Sequence, residues 1–260
     1  MQQNLSTLEK SGIAPFAISP DPPELLAAFA RKYDITSPLL SDADSAVIRE
    51  YGILNEDVAS DHAHYGIPRP GTYLVDEKGR IFDKSFFVSH RERESINNML
   101  QESFQVQAGE HGAEAVLETP ELKARLYFSS PTIRREQRVI VTAQIELNEG
   151  MHVYGQPLPA GYVPVSLEVE ESEDLALVEI VYPPAQPLHF ALLYETLPAY
   201  SGELTLKVHC LGGSEDKEGD IAVRGTLHYQ ACDEKECYLP QTLSFELPLH
   251  FLSHDWEGLD

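Results

Sequence analysis

Residues 139–147 have the sequence VIVTAQIEL, which decides the fold of the second half of this 260-residue chain. Apolar residues at the odd-numbered positions alternate with Ile140, Thr142, Gln144 and Glu146 at the even-numbered ones. Because successive side chains of a strand point to opposite faces, the stretch predicts a strand with one buried and one solvated face. The same alternation returns at 163–169, 204–210 and 221–229. Strands at this spacing, separated by Pro, Gly and acidic turns without a helix between them, predict an antiparallel β-sandwich over residues 118–255.

The first 104 residues have a different pattern, in which predicted helices alternate with short apolar runs. Helices are predicted to begin at Asp21, within 41–44 and at Ser89, where capping residues precede apolar residues with helical spacing. Apolar runs at 13–18, 72–75 and 81–87 predict strands. Residues 1–104 are therefore predicted to form an α/β domain, which a linker at 105–117 joins to the sandwich.

The charge of the chain is strongly acidic and unevenly distributed. Lys and Arg number 19 and Asp and Glu 42, which gives a formal net charge of −23. Residues 1–104 hold 10 basic and 16 acidic side chains (net −6), and the remainder holds 9 and 26 (net −17). Such a balance excludes nucleic acid and anionic membrane surfaces as partners. No apolar run approaches the roughly 20 residues of a membrane span, so no membrane insertion is predicted.

Cys232 and Cys237 form the sharpest local feature, within YQACDEKECYLP at 229–240. Four residues separate them, at the end of one predicted strand and the start of the next, and this separation allows a disulfide across a hairpin end. A redox pair, an inert bridge and two free thiols all fit the spacing. A zinc site is disfavoured because no two further ligands lie near in the sequence.

The residues between these cysteines indicate how the pair would react. Asp233, Glu234 and Glu236 surround the sulfurs with negative charge, and only Lys235 opposes them. Negative charge disfavours a thiolate. We therefore expect the pair to act as a disulfide that a partner's thiolate attacks, rather than as an attacking nucleophile.

Three other features are candidate chemical sites. Cys210 falls on the apolar face of its predicted strand and is expected to be a buried small hydrophobe. His62 and His64 can face the same side of an extended segment, but two ligands do not make a metal site, and a polar loop is the preferred interpretation. Residues 66–71 precede Thr72 with two prolines, which favours either a rigid turn or a cis-proline loop facing an active site.

The first half resembles a known redox family. The residues that carry the resemblance lie at 17–21, 28–30, 33–42, 51–54 and 66–81, in continuous order. They resemble the thioredoxin-like peroxiredoxins of the alkyl hydroperoxide reductase/thiol-specific antioxidant family. The resemblance implies a thioredoxin-like fold and an active-site loop at Arg69, Pro70 and Thr72, in which Arg69 corresponds to the arginine that helps polarise peroxide.

That family attacks peroxide with a cysteine at the start of its first long helix, and residues 1–209 contain no cysteine. The resemblance places residues 1–12 at the end of that helix. The first strand and the active-site helix start are therefore expected to be missing from the chain, and a gene start assigned too late is the favoured explanation over a fragment or a domain that lost its chemistry. Peroxidase activity is not expected from this chain.

The second half is similar to the N-terminal immunoglobulin-like domain of the disulfide reductase DsbD, on residues 151–155, 181–183 and 229–240. The resemblance implies that Cys232 and Cys237 form a disulfide and exchange it with a protein partner, either thioredoxin-like or a membrane reductase. It makes residues 183–200 the candidate for a loop that caps the pair. No cofactor and no metal are predicted.

Two classes of function therefore remain open. The first is a thiol–disulfide redox protein of the thioredoxin-like superfamily that works through Cys232 and Cys237. The second is a non-catalytic interaction module with a vestigial thioredoxin-like domain, for which serine at both cysteines would leave partner binding intact. The first residues carry no secretory signal, so a cytoplasmic setting is expected unless the N-terminus is incomplete, in which case the DsbD resemblance favours an extracytoplasmic one.

Overall fold

The computed structural model describes residues 2–62, 65–87, 92–104, 106, 112–190 and 194–253. The chain divides into two compact units, Met1–Gly109 and Glu110–Asp260. No helix in the described ranges is long and apolar enough to cross a membrane.

The first unit contains short helices and two small sheets. Its elements are a 3-10 helix Gln2–Asn4, α1 Leu5–Lys10, β1 Ala17–Ser19, α2 Pro23–Lys32, β2 Leu39–Ser41, α3 Ala46–Glu50, β3 Gly71–Val75, β4 Ile81–Phe86 and α4 Ile96–Ser103. Strand β1 pairs with β2 in parallel, and β3 pairs with β4 in antiparallel orientation. A small buried cluster forms around Leu8 and Leu100, against which Ile13 and Ile96 pack.

The predicted starts of two helices differ from the observed ones. Helix α2 begins at Pro23 with Pro22 at the cap position, while the side chain of Asp21 accepts a hydrogen bond from Ser19 instead of capping the helix. Proline suits this start because its fixed φ matches the first helical turn. Helix α4 begins at Ile96 and not after Ser89, because the hydroxyl of Ser95 accepts a hydrogen bond from the amide of Asn98.

Other local predictions for the first unit are closer to the structure. Helix α3 starts just beyond 41–44, where the carboxylate of Asp42 accepts hydrogen bonds from the amides of Val47 and Ile48. The strands predicted at 72–75 and 81–87 form β3 and β4, whereas the run at 13–18 contributes only its last two residues to β1. Residues 89–91 of the predicted Ser89 cap lie outside the described ranges.

The described residues of the second unit form strands and connecting loops, without a helix. The strands are β5 Glu114–Glu118, β6 Leu122–Phe128, β7 Thr132–Ile133, β8 Arg138–Leu147, β9 His152–Tyr154, β10 Ser166–Val169, β11 Leu175–Val181, β12 Gln186–Phe190, β13 Glu195–Ser201, β14 Glu203–Gly212, β15 Gly219–Tyr229, β16 Ala231–Cys232 and β17 Gln241–Phe251. Strand β5 occupies positions 114–117 of the predicted linker, because Ala115 and Leu117 pack against the core of the unit.

Two sheets form the sandwich. One has the strand order β11-β14-β8-β6-β5 and the other β10-β15-β17-β7, and all neighbours are antiparallel except β17 and β7. Their facing residues make one large core, in which Leu126, Leu206 and Leu247 are fully buried. Burial of these apolar faces is the main force that holds the two sheets together.

Strand β8 differs from its prediction in one respect. Gln144 and Glu146 are exposed as expected, but Ile140 and Thr142 are buried. The strand is central in its sheet, and the cross-strand neighbours of Thr142 are the large side chains of Tyr127 and Lys207. Long neighbours on both sides cover a small residue on the outer face, which the period of the sequence does not reveal.

A third sheet, of order β12-β13-β9-β16, carries the paired cysteines. Strand β16 ends at Cys232 and pairs with β9, where Cys232 lies opposite His152 and Ala231 opposite Val153. A separate buried cluster lies on this sheet and includes Tyr154, Phe190 and Cys232.

Candidate functional site

Cys232 and Cys237 form a disulfide that closes a short acidic turn. The amide of Asp233 donates to the carbonyl of Glu236 at 2.9 Å, and the carboxylate of Asp233 accepts from the amides of Lys235 at 2.7 Å and Glu236 at 2.8 Å. A short polar side chain that bonds its own turn in this way is a common means of fixing a tight loop. The turn therefore holds the two sulfur-bearing residues together by backbone geometry as well as by the covalent bond.

The two cysteines differ in exposure. Cys232 is completely buried in the cluster on the third sheet, whereas Cys237 is exposed at the end of the turn. Of the two residues, Cys237 is therefore the one that is accessible from solution. Exchange chemistry requires direct access to the attacked sulfur, so the two cysteines differ in a property on which such chemistry depends.

The hydroxyl of Tyr154 contacts both sulfurs, at 3.2 Å from Sγ of Cys237 and 3.3 Å from Sγ of Cys232. Disulfide sulfurs carry no hydrogen, so the hydroxyl is the donor in both contacts. Burial, reinforced by the charge of Glu195, raises the pKa of Tyr154, which keeps the proton on the hydroxyl. Tyr154 is therefore a fixed hydrogen-bond donor for whichever sulfur gains negative charge.

Aromatic rings surround this donor. The ring of Phe190 lies 5.2 Å from that of Tyr154 and 4.7 Å from that of His152, and the ring of Tyr162 lies 5.1 Å from Tyr154. Tyr162 donates a hydrogen bond to the carboxylate of Glu195 at 2.7 Å. These contacts hold Tyr154 in one position and exclude water from the buried side of the disulfide. Phe190 belongs to the segment 183–200 that was predicted to cap the cysteines.

His152 is the other polar residue on the buried side. It lies on the same face of β9 as Tyr154, since the two are separated by one residue, and it is the cross-strand partner of Cys232. Its Nε2 atom is buried and has no hydrogen-bond partner among the described residues. Desolvation lowers the pKa of His152, against a smaller opposite effect of Asp233, so the imidazole is neutral at neutral pH.

The exposed side of the disulfide opens into a groove of about 790 Å³. It is lined by residues 147–152, 188–190, 201–202, 233, 234, 236 and 237. Cys237, the exposed cysteine, and His152 both contribute to its surface. The groove therefore adjoins the exposed cysteine of the disulfide.

Several other residues that the sequence offered as site candidates have ordinary structural positions. Cys210 is fully buried, and desolvation raises the pKa of its thiol to about 12, so it is a core residue as expected. Arg69 makes an exposed ion pair with Asp57 at 3.0 Å, and Thr72 pairs with Ser85 within the β3–β4 hairpin. The active-site loop at Arg69, Pro70 and Thr72 remains a prediction.

The cis-proline alternative for residues 66–71 is wrong. The cis peptide bond in the described part of the chain precedes Pro157, so the bonds before Pro68 and Pro70 are trans. His64 lies outside the described residues, and the described ones contain no cluster of three or more His, Cys, Asp or Glu side chains that could hold a metal ion.

Family models match both halves of the chain. A model described as the AhpC/TSA family matches residues 1–84, and one described as thiol:disulfide interchange protein DsbD, N-terminal, matches residues 119–249, which is just over half of the chain. The chain belongs to the DsbD N-terminal domain family. The two resemblances stated from the sequence are thereby confirmed, with a thioredoxin-like domain followed by a DsbD-type β-rich domain. Together they support a thiol redox role for the chain.

Curated relatives match the first unit. Peroxiredoxin Bcp of Escherichia coli is 32% identical over 105 residues, which are 39% of this chain and 65% of the relative. A protein of Mycobacterium tuberculosis whose name describes it as a peroxiredoxin is 38% identical over 80 residues, which are 31% of this chain and 50% of the relative. The chain thus spans about half to two thirds of the length of these relatives.

Two solved structures are similar to part of the chain. The N-terminal periplasmic domain of ScsB from Proteus mirabilis has a TM-score of 0.38 and 14% identity, over 53% of this chain and 51% of that one. The N-terminal domain of Neisseria meningitidis DsbD, in the reduced form, has a TM-score of 0.31 and 14% identity, over 42% of this chain and 80% of that one.

Sequence reasoning did not assign roles to Tyr154, His152 or Phe190, although the first two lie in the stretch 151–155 that carries the DsbD resemblance. The sequence does contain a signal for His152 and Tyr154. The two are separated by one residue in a short strand, which places two polar aromatic side chains on one face. Phe190 had no such signal, because its approach to the disulfide depends on how the β12–β13 hairpin folds back.

Proposed function

We propose that this protein exchanges disulfides with a protein partner, and that the partner's thiolate attacks Sγ of Cys237. The observation that carries the proposal is the asymmetric burial of the pair, with Cys232 inside the cluster and Cys237 at the groove. The DsbD-type family match supports the same chemistry.

The reaction balances without any cofactor. The partner's thiolate forms a bond to Sγ of Cys237, the bond between the two cysteines breaks, and Cys232 leaves as a thiolate that then takes up a proton. A second thiol of the partner, as its thiolate, attacks the mixed disulfide and releases Cys237. The chain then holds two thiols and the partner one disulfide, so two electrons have moved to the chain. The reverse reaction passes them on.

Tyr154 stabilises the charge that develops in the first step. Its hydroxyl is already within hydrogen-bond distance of Sγ of Cys232, so the donor is in position before the thiolate forms. A fixed donor in a water-excluded site stabilises a developing anion more than a mobile one does, because no reorganisation is needed. Burial alone would make Cys232 a poor leaving group, and this hydrogen bond offsets that cost.

The partner supplies the attacking nucleophile in the proposed direction. Asp233, Glu234 and Glu236 give the turn a negative charge that disfavours a thiolate at Cys237. Thioredoxin-like proteins and membrane reductases with a reactive cysteine are the partner classes that meet this need. Peroxidase activity is not part of the proposal, because residues 1–209 contain no cysteine and Cys210 is buried.

Single serine variants of the full chain test the proposal with a reduced thioredoxin-type protein. In Cys232→Ser the remaining Cys237 is exposed, and after activation with an aromatic disulfide reagent it should form a mixed disulfide with the partner. In Cys237→Ser the remaining Cys232 is buried, and its activation and capture should be at least about tenfold slower. Equal rates in the two variants would show that the burial asymmetry does not direct the attack.

A second measurement separates exchange from simple binding. The oxidised wild-type chain is mixed with the reduced partner, the reaction is quenched with acid, free thiols are alkylated, and the alkylated cysteines of the chain are counted separately from those of the partner. Two new thiols per chain are expected. If the disulfide persists while the partner still binds both the wild type and the double serine variant, the chain is an interaction module and the exchange role is wrong.

A further inference from the structure

The groove beside Cys237 has an acidic rim. Glu149, Asp233, Glu234 and Glu236 contribute to it, and no lysine or arginine does so among the described residues. The carboxylate of Asp233 stays ionised, because hydrogen bonds from the amides of Glu236 and Lys235 and from Tyr238 lower its pKa. Any group that approaches the exposed sulfur therefore meets a negative potential.

The lining of the groove includes both apolar and polar residues. Leu188 and Phe190 of β12 and Met151 are apolar lining residues, and His152 is a polar one. His152 is more than nine-tenths buried, and its Nε2 atom has no hydrogen-bond partner among the described residues. A buried polar atom without a partner is uncommon in native proteins, and here it belongs to a residue that lines the groove.

We propose that this groove selects thiol partners that carry positive charge beside the attacking sulfur, which for a protein means a reactive cysteine flanked by lysine or arginine. The proposal rests on the exchange function proposed above. A neighbouring cation lowers the pKa of the partner's thiol and so increases its thiolate fraction. The same cation is attracted by Glu149, Asp233, Glu234 and Glu236, so reactivity and docking come from one feature of the partner.

The acidic rim also rejects other thiols. A small thiol with a carboxylate next to its sulfur brings like charge to the groove and is repelled, as is its thiolate. The disulfide is thus protected from anionic small-molecule thiols while it remains open to cationic protein partners. Selection of this kind uses repulsion of the wrong partner as well as attraction of the right one.

Three small thiols of similar length test the selection on the oxidised full chain. Cysteamine is cationic at the end away from sulfur, mercaptoethanol is neutral and mercaptopropionate is anionic. The fraction of reduced disulfide is measured over time in samples quenched with an alkylating reagent. Each reduction rate is divided by the concentration of thiolate. Each rate is divided by that of the same thiol with hydroxyethyl disulfide, which removes differences in intrinsic nucleophilicity.

At an ionic strength of about 0.01 M, where charges act over about 30 Å, cysteamine should exceed mercaptopropionate by about tenfold, with mercaptoethanol between them. At about 1 M, where the range falls to about 3 Å, the three normalised rates should converge. Equal normalised rates at both ionic strengths would overturn the proposed selection. Failure of all three thiols to reduce the disulfide would instead overturn the exchange function.

A pair of matched variants locates the selecting charges. The double variant Glu234→Gln, Glu236→Gln removes two charges from the rim and should lower the ratio of cysteamine to mercaptopropionate by about threefold at low salt. The double variant Glu170→Gln, Glu173→Gln removes two exposed charges from a turn outside the groove lining and should leave the ratio unchanged. If the ratio of cysteamine to mercaptopropionate falls equally in both double variants, the net charge of the chain, and not the groove, sets the preference for cationic thiols.

Discussion

The hydroxyl oxygen of Tyr154 lies 3.2 Å from Sγ of Cys237 and donates a hydrogen bond to it. Tyr154 comes from strand β9, and Cys237 from the turn after β16, so residues 83 positions apart meet at one covalent bond. Because the tyrosine side chain is almost wholly buried, the donor approaches from the side opposite to solvent. The disulfide is therefore held by a fixed polar group on its inner side and open to reaction on its outer side.

Replacement of Tyr154 by phenylalanine should slow reduction of the disulfide. The variant loses the hydroxyl that stabilises the leaving thiolate, and hydrogen bonds to charged groups contribute about 1.5–3 kcal/mol. At 1.36 kcal/mol per factor of ten, a slowing of about tenfold or more is expected. Dithiothreitol reduction of the full chain at one fixed pH measures it.

The matched control for this variant is Tyr162→Phe. It removes a hydroxyl from the same aromatic cluster, one that bonds Glu195 and not sulfur. Its reduction rate should stay within about twofold of the wild type, because the donor to the sulfurs is retained. If the two variants slow reduction equally, the effect comes from packing of the cluster and Tyr154 has no special role.

The buried thiol of Cys210 should make the stability of the protein sensitive to alkaline pH. Its pKa is raised from 9.0 to about 12 by burial, so the folded state holds the proton more tightly than the unfolded state. Stability from this group is complete below pH 9 and is lost as pH rises toward about 12, by up to about 1.4 kcal/mol per pH unit.

Comparison of the wild type with Cys210→Ala isolates this contribution. Buried tyrosines also titrate at alkaline pH, but they are common to both proteins, so only the difference between their unfolding free energies is used. We expect the advantage of the wild type to shrink as pH rises above 9, as measured by urea denaturation. A pH-independent difference would contradict the assigned burial of the thiol proton.

Replacement of His152 by phenylalanine should stabilise the chain and remove an acid-sensitive group. The variant removes a buried nitrogen without a described partner, whose cost is about 1–3 kcal/mol, and keeps a ring against Phe190. The folded pKa of His152 lies below 6.5, so the unfolded state binds more protons and stability falls as pH drops below 6.5.

Urea denaturation of both proteins between neutral and mildly acidic pH checks this prediction. The stability gain of His152→Phe should be about 1 kcal/mol at neutral pH and should grow as the pH falls. A gain that is constant or that shrinks on acidification would mean that the imidazole is not held neutral by burial.

Helix α4 should depend on its N-terminal serine. Ser95→Ala removes the hydroxyl that accepts from the amide of Asn98, a loss of about 1 kcal/mol. Hydrogen exchange of the Asn98 amide should become about fivefold faster. Ser95→Asp keeps a capping oxygen and should restore slow exchange; unchanged exchange in the alanine variant would show that the cap does not limit local opening.

Much of the fold followed from periodicity. The alternation at 139–147, 204–210 and 221–229 identified β8, β14 and β15, since apolar residues at every second position must share the face that packs on the other sheet. The helix starts in the first unit were less well predicted. Ser89 and Ser95 both have hydroxyls that can cap a helix, and only the backbone conformation of the folded chain decides that Ser95 caps α4.

The candidate site was predicted in part. The sequence identified Cys232 and Cys237, their acidic surroundings and the core position of Cys210. These conclusions need only the residues close to each cysteine in the chain, because local charge and strand period act over short distances.

Only the tertiary structure decided which sulfur is open to attack. Cys232 is buried because β9 pairs beside it and Phe190 from the β12–β13 hairpin joins the same cluster, while Tyr154, 78 positions away, brings the hydrogen-bond donor. The sequence determined that a cysteine pair with acidic neighbours stands at a strand end. Exposure and hydrogen bonding depend on segments distant in the chain, so packing decided which cysteine of the pair is exposed.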